Sequence, residues 1–161
     1  SNSYAIASIK QTATPYESYV GGFVGINNGT INTCYSTVNI TDESGVVNAI
    51  GGFAGYTELI SGYNATINKC FSTGSITLAS TPSNRGYFLG QTTGAELHCY
   101  YLNSAKISVG TQAIDPSNSI GTSKMISELY SEDFLKNTLY LSNDIWVVTA
   151  GQPPVLKCFE K

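Results

Sequence analysis

The chain has 161 residues, room for one or two small domains, and a formal net charge of -3. Only 12% of its residues are charged, about half the usual share, while 42% are hydrophobic, which excludes a disordered polyelectrolyte. The weak negative charge argues against nucleic-acid and anionic-membrane partners, and no run of about 18 apolar residues is present to cross a bilayer as a helix.

In chain order, the first readable element is Ser3-Tyr4-Ala5-Ile6-Ala7-Ser8-Ile9, whose meaning appears only later, because it lines up with Cys34 to Ile40. Val20-Gly21-Gly22-Phe23-Val24-Gly25 follows, then an Asn27-Asn28-Gly29-Thr30 turn, where Asn-Gly is expected to adopt positive φ. Cys34-Tyr35-Ser36-Thr37 closes the unit. The phrase returns as Ile50-Gly51-Gly52-Phe53-Ala54-Gly55 with Cys70-Phe71-Ser72-Thr73, and a third time as Arg85-Gly86-Tyr87-Phe88-Leu89-Gly90 with Cys99-Tyr100. The spacing from Gly25 to Cys34 equals that from Gly90 to Cys99. The stretch from Gly55 to Cys70 is longer, with an insertion inside Tyr56 to Tyr63.

A unit of roughly 30 residues, rich in β formers and punctuated by Gly, Asn and Ser, predicts stacked coils. The fold class expected is all-β: a parallel β-helix-like solenoid of about three to four coils with a small mixed α/β C-terminal cap. The repeat positions Gly22, Phe23, Gly25, Cys34, Gly52, Phe53, Gly55, Cys70, Phe88, Gly90 and Cys99 should form ladders about 4.8 Å apart. The glycines serve where a coil bends or where the next coil approaches closely. Because Ser3 to Ile9 is already the tail of a unit, the array is expected to be part of a longer one, cut inside a repeat. Cys34, Cys70 and Cys99 share one repeat position, so parallel side chains favour reduced, buried thiols over disulfides. Cys158 lies outside the register.

After Cys99 the repeat fades, which divides the chain into repeats over 1–103 and a cap over 104–161. Lys106 to Gly121 reads as loop. Met125, Ile126 and Leu129 fit a short helix capped by Thr122 or Ser123, and Ser131 caps a second that buries Phe134, Leu135 and Leu139. A β segment at Ile145 to Val148, a Gly151-Gln152-Pro153-Pro154 turn and Val155-Leu156-Lys157 end the chain. The cap is expected to close the last coil.

Gly22-Phe23-Val24-Gly25, Asn27, Gly29-Thr30-Ile31 and Cys34-Tyr35-Ser36-Thr37 resemble the GLUG motif of bacterial surface proteins. Gly52-Phe53-Ala54-Gly55 with Cys70-Phe71-Ser72-Thr73-Gly74 is similar apart from the insertion, and the tail around Trp146 and Pro154 to Lys157 resembles the segment that ends such arrays. The resemblance implies an extracellular bacterial protein with a β-helix-like array. Such arrays occur in adhesins and beside the protease domains of secreted immunoglobulin-cleaving peptidases.

The residues themselves point to no catalytic machinery, metal or cofactor. Val20 to Gly25 lacks the Lys-Ser or Lys-Thr of a phosphate loop and opens no helix. His98 is the sole histidine. It stands at the variable position of Thr33 and Lys69, next to a Cys that should face the other way. The Cys spacing does not fit zinc. Arg85 is the one arginine, and Asp42, Glu43 and Glu58 fall in turns or the insertion, against the clustered acids of a polysaccharide-cleaving β-helix. The expectation is a non-enzymatic module for adhesion, ligand presentation or spacing; the alternatives are a carbohydrate-active β-helix fragment or an accessory array of a secreted protease. Tyr56, Tyr63 and Tyr87 are the candidate binding residues for a host or neighbouring-cell protein or glycan.

Overall fold

The structure, a computed structural model, describes residues 1–12, 17–61 and 64–159. The chain winds into a β-solenoid of about three turns. A partial first coil holds strands Ser3–Ala5 and Ser8–Gln11. Each later coil adds a rung to four parallel sheets. The first sheet stacks Tyr19–Gly21, Ala49–Gly51 and Asn84–Gly86; the second stacks Val24–Asn27, Ala54–Thr57 and Leu89–Thr92. The third carries Ser3–Ala5, Cys34–Ser36, Thr66–Ser72, Ala95–Leu102 and Thr122–Lys124, and the fourth Ser8–Gln11, Asn39–Asp42, Ile76–Leu78 and Ile107–Val109.

The register is the one the repeat dictates. Ser3 pairs with Cys34 and Cys70 with Cys99, while Tyr4, Tyr35, Phe71 and Tyr100 follow one another along the third sheet. Like side chains therefore stack. Phe23, Phe53 and Phe88 lie with ring centroids 4.8 and 4.9 Å apart and nearly parallel planes. Three apolar columns result. Inside the coil, one joins the Phe column to Cys34, Cys70, Cys99, Ile67 and Leu89. Another joins Val20, Ile40, Ile50, Ile76 and Ile107. The third is the Tyr35–Phe71 column, which the C-terminal tail covers from outside.

The glycines of the repeated phrase serve close approach. None of Gly21, Gly51, Gly25, Gly55 and Gly90 has a positive φ. A Cβ on Gly51 would lie 2.2 Å from Ala54 O, 2.6 Å from Gly90 N and 2.8 Å from Leu89 Cα. One on Gly55 would lie 2.6 Å from Val20 N. The first and second sheets are thus held in backbone contact, within a coil and between coils.

The left-handed residues are elsewhere than expected. Asn28 and Gly29 are not among them. Instead Asn27 Oδ1 accepts the Gly29 N–H at 3.2 Å, closing the turn by a side chain. Among the described non-glycine residues of the coils, positive φ belongs to Asn2, Thr33, Lys69 and His98, at 56°, 57°, 54° and 53°. These occupy one repeat position, immediately before the Cys column. Each coil turns a corner there, and inter-coil bonds such as Thr33 N to Asn68 O, 3.1 Å, hold it.

Two features of the tail differ from the sequence reading. Lys106 to Gly121 is not all loop: Ile107–Val109 extends the fourth sheet and returns against Gln112–Ala113. Thr122 and Ser123 do not cap a helix, because Thr122–Lys124 pairs with Tyr100–Leu102. Helix Ile126–Leu129 starts after Met125, whose N–H is taken by the Glu128 carboxylate at 2.8 Å. Met125 and Ile126 stay exposed, and only Leu129 is buried. Ser131 does cap the next turn, accepting the Phe134 N–H at 3.2 Å.

The tail also covers more than the last coil. Residues 112–121 cross that end, whereas the segment from Ile126 onward runs back along the outside of the third sheet. Leu129, Phe134, Leu135, Leu139, Leu141 and Trp146 pack onto Tyr35 and Phe71. Trp146 Nε1 donates to Asn2 Oδ1 at 3.2 Å, and Tyr35 Oη donates to Pro154 O at 2.6 Å. The returning segment reaches the first coil.

Candidate functional site

Tyr56 lies on the outside of the second sheet and stacks on Tyr19, with centroids 5.3 Å apart. Both rings lie side by side along the stack, so each spends a face on its neighbour. Tyr63 lies outside the described residues. Tyr87 stands in the column of Gly22 and Gly52. A Cβ at Gly22 would meet Gly52 O at 2.4 Å, and one at Gly52 would meet Tyr87 O at 2.3 Å. Those contacts come from the next coil, and the third coil has no such successor, so a side chain fits. Tyr87 fills the place and stacks on Tyr101 at 5.1 Å. Tyr56 and Tyr87 stack on different partners, Tyr19 and Tyr101.

The richest chemistry lies in a hollow of about 400 Å³ lined by Glu96, His98, Cys99, Tyr100, Ile120, Gly121 and Thr122. A thiol, an imidazole and a carboxyl share it, yet the thiol is turned into the coil. Cys99 Sγ donates to Ile67 O at 3.4 Å, and burial pushes its pKa up to about 12. His98 is exposed on its left-handed corner and is hydrogen-bonded to neither Cys99 nor Glu96. Burial raises the Glu96 pKa, opposed by the Thr92 hydroxyl, which donates to it at 2.6 Å. A protonated thiol without a base is no nucleophile.

The acids singled out in the coils, Asp42, Glu43 and Glu58, are engaged singly. Asp42 is buried and accepts both the N–H and the hydroxyl of Ser44. Glu43 pairs with Lys10 at 2.9 Å, and Asn28 Nδ2 donates to Glu58 at 3.4 Å. The Arg85 guanidinium donates to the carbonyls of Asp115 and Pro82, tying the end-crossing segment to the third coil.

The cysteines are free. Cys34, Cys70 and Cys99 are buried and Cys158 is exposed. Cys34 Sγ and Cys70 Sγ donate to Asn32 O and Asn68 O, both at 3.2 Å. The neighbouring Cys70 thiol draws the Cys34 pKa down to about 7, while burial drives Cys70 up. A disulfide reagent should therefore modify only Cys158 in the native protein and all four thiols in denaturant. Fast native modification of a second thiol would contradict the buried column.

The same column predicts alkaline lability. An unfolded thiol loses its proton near pH 8.5, whereas folded Cys99 keeps it to about 12. Above pH 9 the unfolded chain thus binds fewer protons, and stability falls by about 1.4 kcal/mol per pH unit for this thiol. Cys70 adds to the loss. Cys34 acts oppositely, but its gain is complete by about pH 8.5. Urea midpoints at pH 8 and 10.5 should show the drop, and Cys99→Ala should lessen it. Equal slopes in both proteins would reject the assignment.

The geometry of one coil can now be set beside known proteins. Residues 16–41 match the GLUG motif. The match covers the first full coil, and the register carries its Gly, Phe and Cys positions to the next two. No curated protein matches the chain. The whole chain resembles the crystal structure of a candidate immunoglobulin A1 protease from Bacteroides ovatus. The TM-score is 0.64 at 17% identity, over 98% of this chain and 57% of that one. This chain thus spans just over half the length of that protein, and the likeness is one of fold.

Sequence reasoning missed the hydrophobic hollow beside the insertion, about 410 Å³, lined by Leu59, Asn64, Ala65, Thr66, Thr93, Gly94 and Ala95. Leu59 and Ile60 are 52% and 42% exposed. Two adjacent apolar residues inside an insertion were the available signal.

Proposed function

We propose that the chain is a non-catalytic β-solenoid module of a bacterial surface or secreted protein, acting as a rigid spacer that holds or presents the rest of its polypeptide. The carrying observation is that the repeated chemistry is consumed by stacking. The glycines hold backbones together, the Phe and Cys columns fill the coil, and the Tyr35–Phe71 column is sealed under the tail. The GLUG match and the fold shared with a candidate immunoglobulin A1 protease from Bacteroides ovatus support the extracellular placement, and also a role as accessory array beside a protease domain. Singly engaged acids weigh against a carbohydrate-cleaving site.

Adhesion is the second reading, favoured by exposed Leu59 and Ile60 in the insertion. Panels of glycans and host-matrix proteins, probed with the purified chain, separate the two. Silence across both supports the spacer. Binding that disappears in Leu59→Asp/Ile60→Asp supports adhesion through the insertion. Cleavage of any panel glycan or protein by the chain would overturn the non-catalytic reading.

A further inference from the structure

Beyond the third coil, the chain covers most of the strand edges that the stack presents. Asn118 Nδ2 donates to the carbonyls of Leu89 and Gly90, both at 2.9 Å, and the Ser117 N–H donates to Arg85 O at 2.8 Å. Gln112–Ala113 pairs with Ser108 and Val109. The third sheet is covered only in part. Along Ala95–Leu102, strand Thr122–Lys124 pairs with Tyr100, Tyr101 and Leu102 alone. Ala95, Glu96 and Leu97 pair with Thr66, Ile67 and Asn68 on one side and, among the described residues, with no strand on the other. Residues 112–121 cross this end and leave that edge bare.

The residues on the bare edge depart from the two rungs beneath it. Thr30-Ile31-Asn32 and Thr66-Ile67-Asn68 place an apolar side chain inward between two polar ones. Ala95-Glu96-Leu97, in register with them, does the reverse. Ile67 is fully buried in the Phe–Cys column and Ile31 packs on it, so Glu96 brings a carboxyl group to the inward position. It lines the hollow of about 400 Å³ described above, whose lining holds no Lys or Arg. The Thr92 hydroxyl engages one of its oxygens at 2.6 Å. The other accepts no hydrogen bond among the described residues. Leu97 is 52% exposed, and Ala95 is exposed beside it. An inward charge alone would guard the edge against pairing, but an exposed Leu next to it does not serve that end.

We propose that this edge receives an extended segment of a partner protein as a further parallel strand, with a Lys or Arg over Glu96 and apolar side chains over Ala95 and Leu97. The backbone contact follows from continuity with the ladder already present between coils. Thr66 N–H donates to Gly29 O at 2.9 Å, and Ala95 N–H to Ala65 O at 3.0 Å. By the same register, an incoming residue over Ala95 donates its N–H to Gly94 O and accepts the Glu96 N–H. The residue over Leu97 donates to Glu96 O. The side chains follow from complementarity. A cation in the hollow meets the free oxygen of a half-buried carboxyl group, and apolar neighbours cover Leu97 across the strands. A second copy of the chain fits less well. Two such edges paired symmetrically about Glu96 would set one carboxyl group against its twin.

A docked strand is additional to the spacer role, and its failure to bind would leave the stack and that role untouched. The probe is the end-blocked peptide Thr-Val-Lys-Val-Thr, titrated into the isotope-labelled chain up to about 5 mM and followed by amide chemical shifts. The Glu96 and His98 amides, which face the open side, should shift and saturate. The Ala95 and Leu97 amides, turned to the second coil, should move less. The peptide with Glu in the central place should bind at least about 10-fold more weakly, and Glu96→Lys should reverse the preference. Should Glu96→Lys fail to fold, the two peptides on the unaltered chain still decide. Equal binding of both peptides, or no saturable shift at Glu96 and His98, would overturn the proposal. So would the same shifts on concentrating the chain without peptide, since the edge would then belong to a second copy.

Discussion

Gly51→Ala should cost about 3 kcal/mol or more of unfolding free energy, a large fraction of the roughly 5–15 kcal/mol of an ordinary domain. The added methyl would press on Ala54 O, Gly90 N and Leu89 Cα, all backbone atoms belonging to two coils. No flexible side chain can move aside, so the expected cost lies at or above the top of the usual overpacking range. Gly29→Ala is the matched control. A Cβ there meets nothing within 4 Å, and its N–H would still reach Asn27. It should change stability by less than about 0.5 kcal/mol. Urea unfolding followed by far-UV circular dichroism compares the two. Equal effects would mean that the first and second sheets are not in backbone contact at these glycines.

Trp146→Ala should cost about 3–5 kcal/mol, the range for removing a buried large aromatic. The indole is 2% exposed and lies tilted against Tyr4 and Tyr35, both at 6.1 Å. Its N–H bond to Asn2 joins the tail to the first coil. The loss should be local in the first instance. The tail loosens, the Tyr35–Phe71 column becomes accessible, and a hydrophobic dye binds. Protease should then cut within residues 126–159 while the coils stay intact. If the coils and tail instead lose protection together, with no dye-binding state between, the tail would be part of one cooperative unit with the stack. If neither stability nor tail protection changes, the tail does not lie on this column.

The coil stack was legible because a repeat states its own register. Matching Cys34, Cys70 and Cys99 by eye is the same operation as pairing them in a parallel sheet, and Ser3 falls into line by the same rule. The thiols followed from that register, and the structure has them free and buried. The corner at Asn2, Thr33, Lys69 and His98 was not legible, since Thr33 and Lys69 have no marked taste for left-handed backbone and the turn signal at Asn28-Gly29 stands elsewhere in the coil. Here the inter-coil hydrogen bonds impose the conformation that local propensity does not. The course of the tail was hidden for a different reason. Phe134, Leu135 and Leu139 announce a buried face but not the surface that buries it, and the aromatic after each Cys does not say whether it points into the coil or out under a cover.

The third copy carries the clearest lesson about the site. From sequence, Tyr87 in place of glycine reads as a candidate binding residue. In the stack it marks the coil above which no further coil lies, because Gly22 and Gly52 are small only to admit the backbone of the next one. Seen this way, Tyr87 and Tyr101 close this column of the third coil, and the exposed pair Leu59 and Ile60 lies apart from it in the insertion.

The account stands on in-register parallel stacking, and nuclear Overhauser contacts between backbone protons test it most directly. It predicts cross-strand contacts that join Ser3–Ala5 to Cys34–Ser36, Phe71–Ser72 to Tyr35–Ser36, and Tyr100–Tyr101 to Phe71–Ser72, all with parallel polarity. Contacts that pair consecutive strands as antiparallel hairpins, or that shift Cys70 away from Cys99, would contradict it.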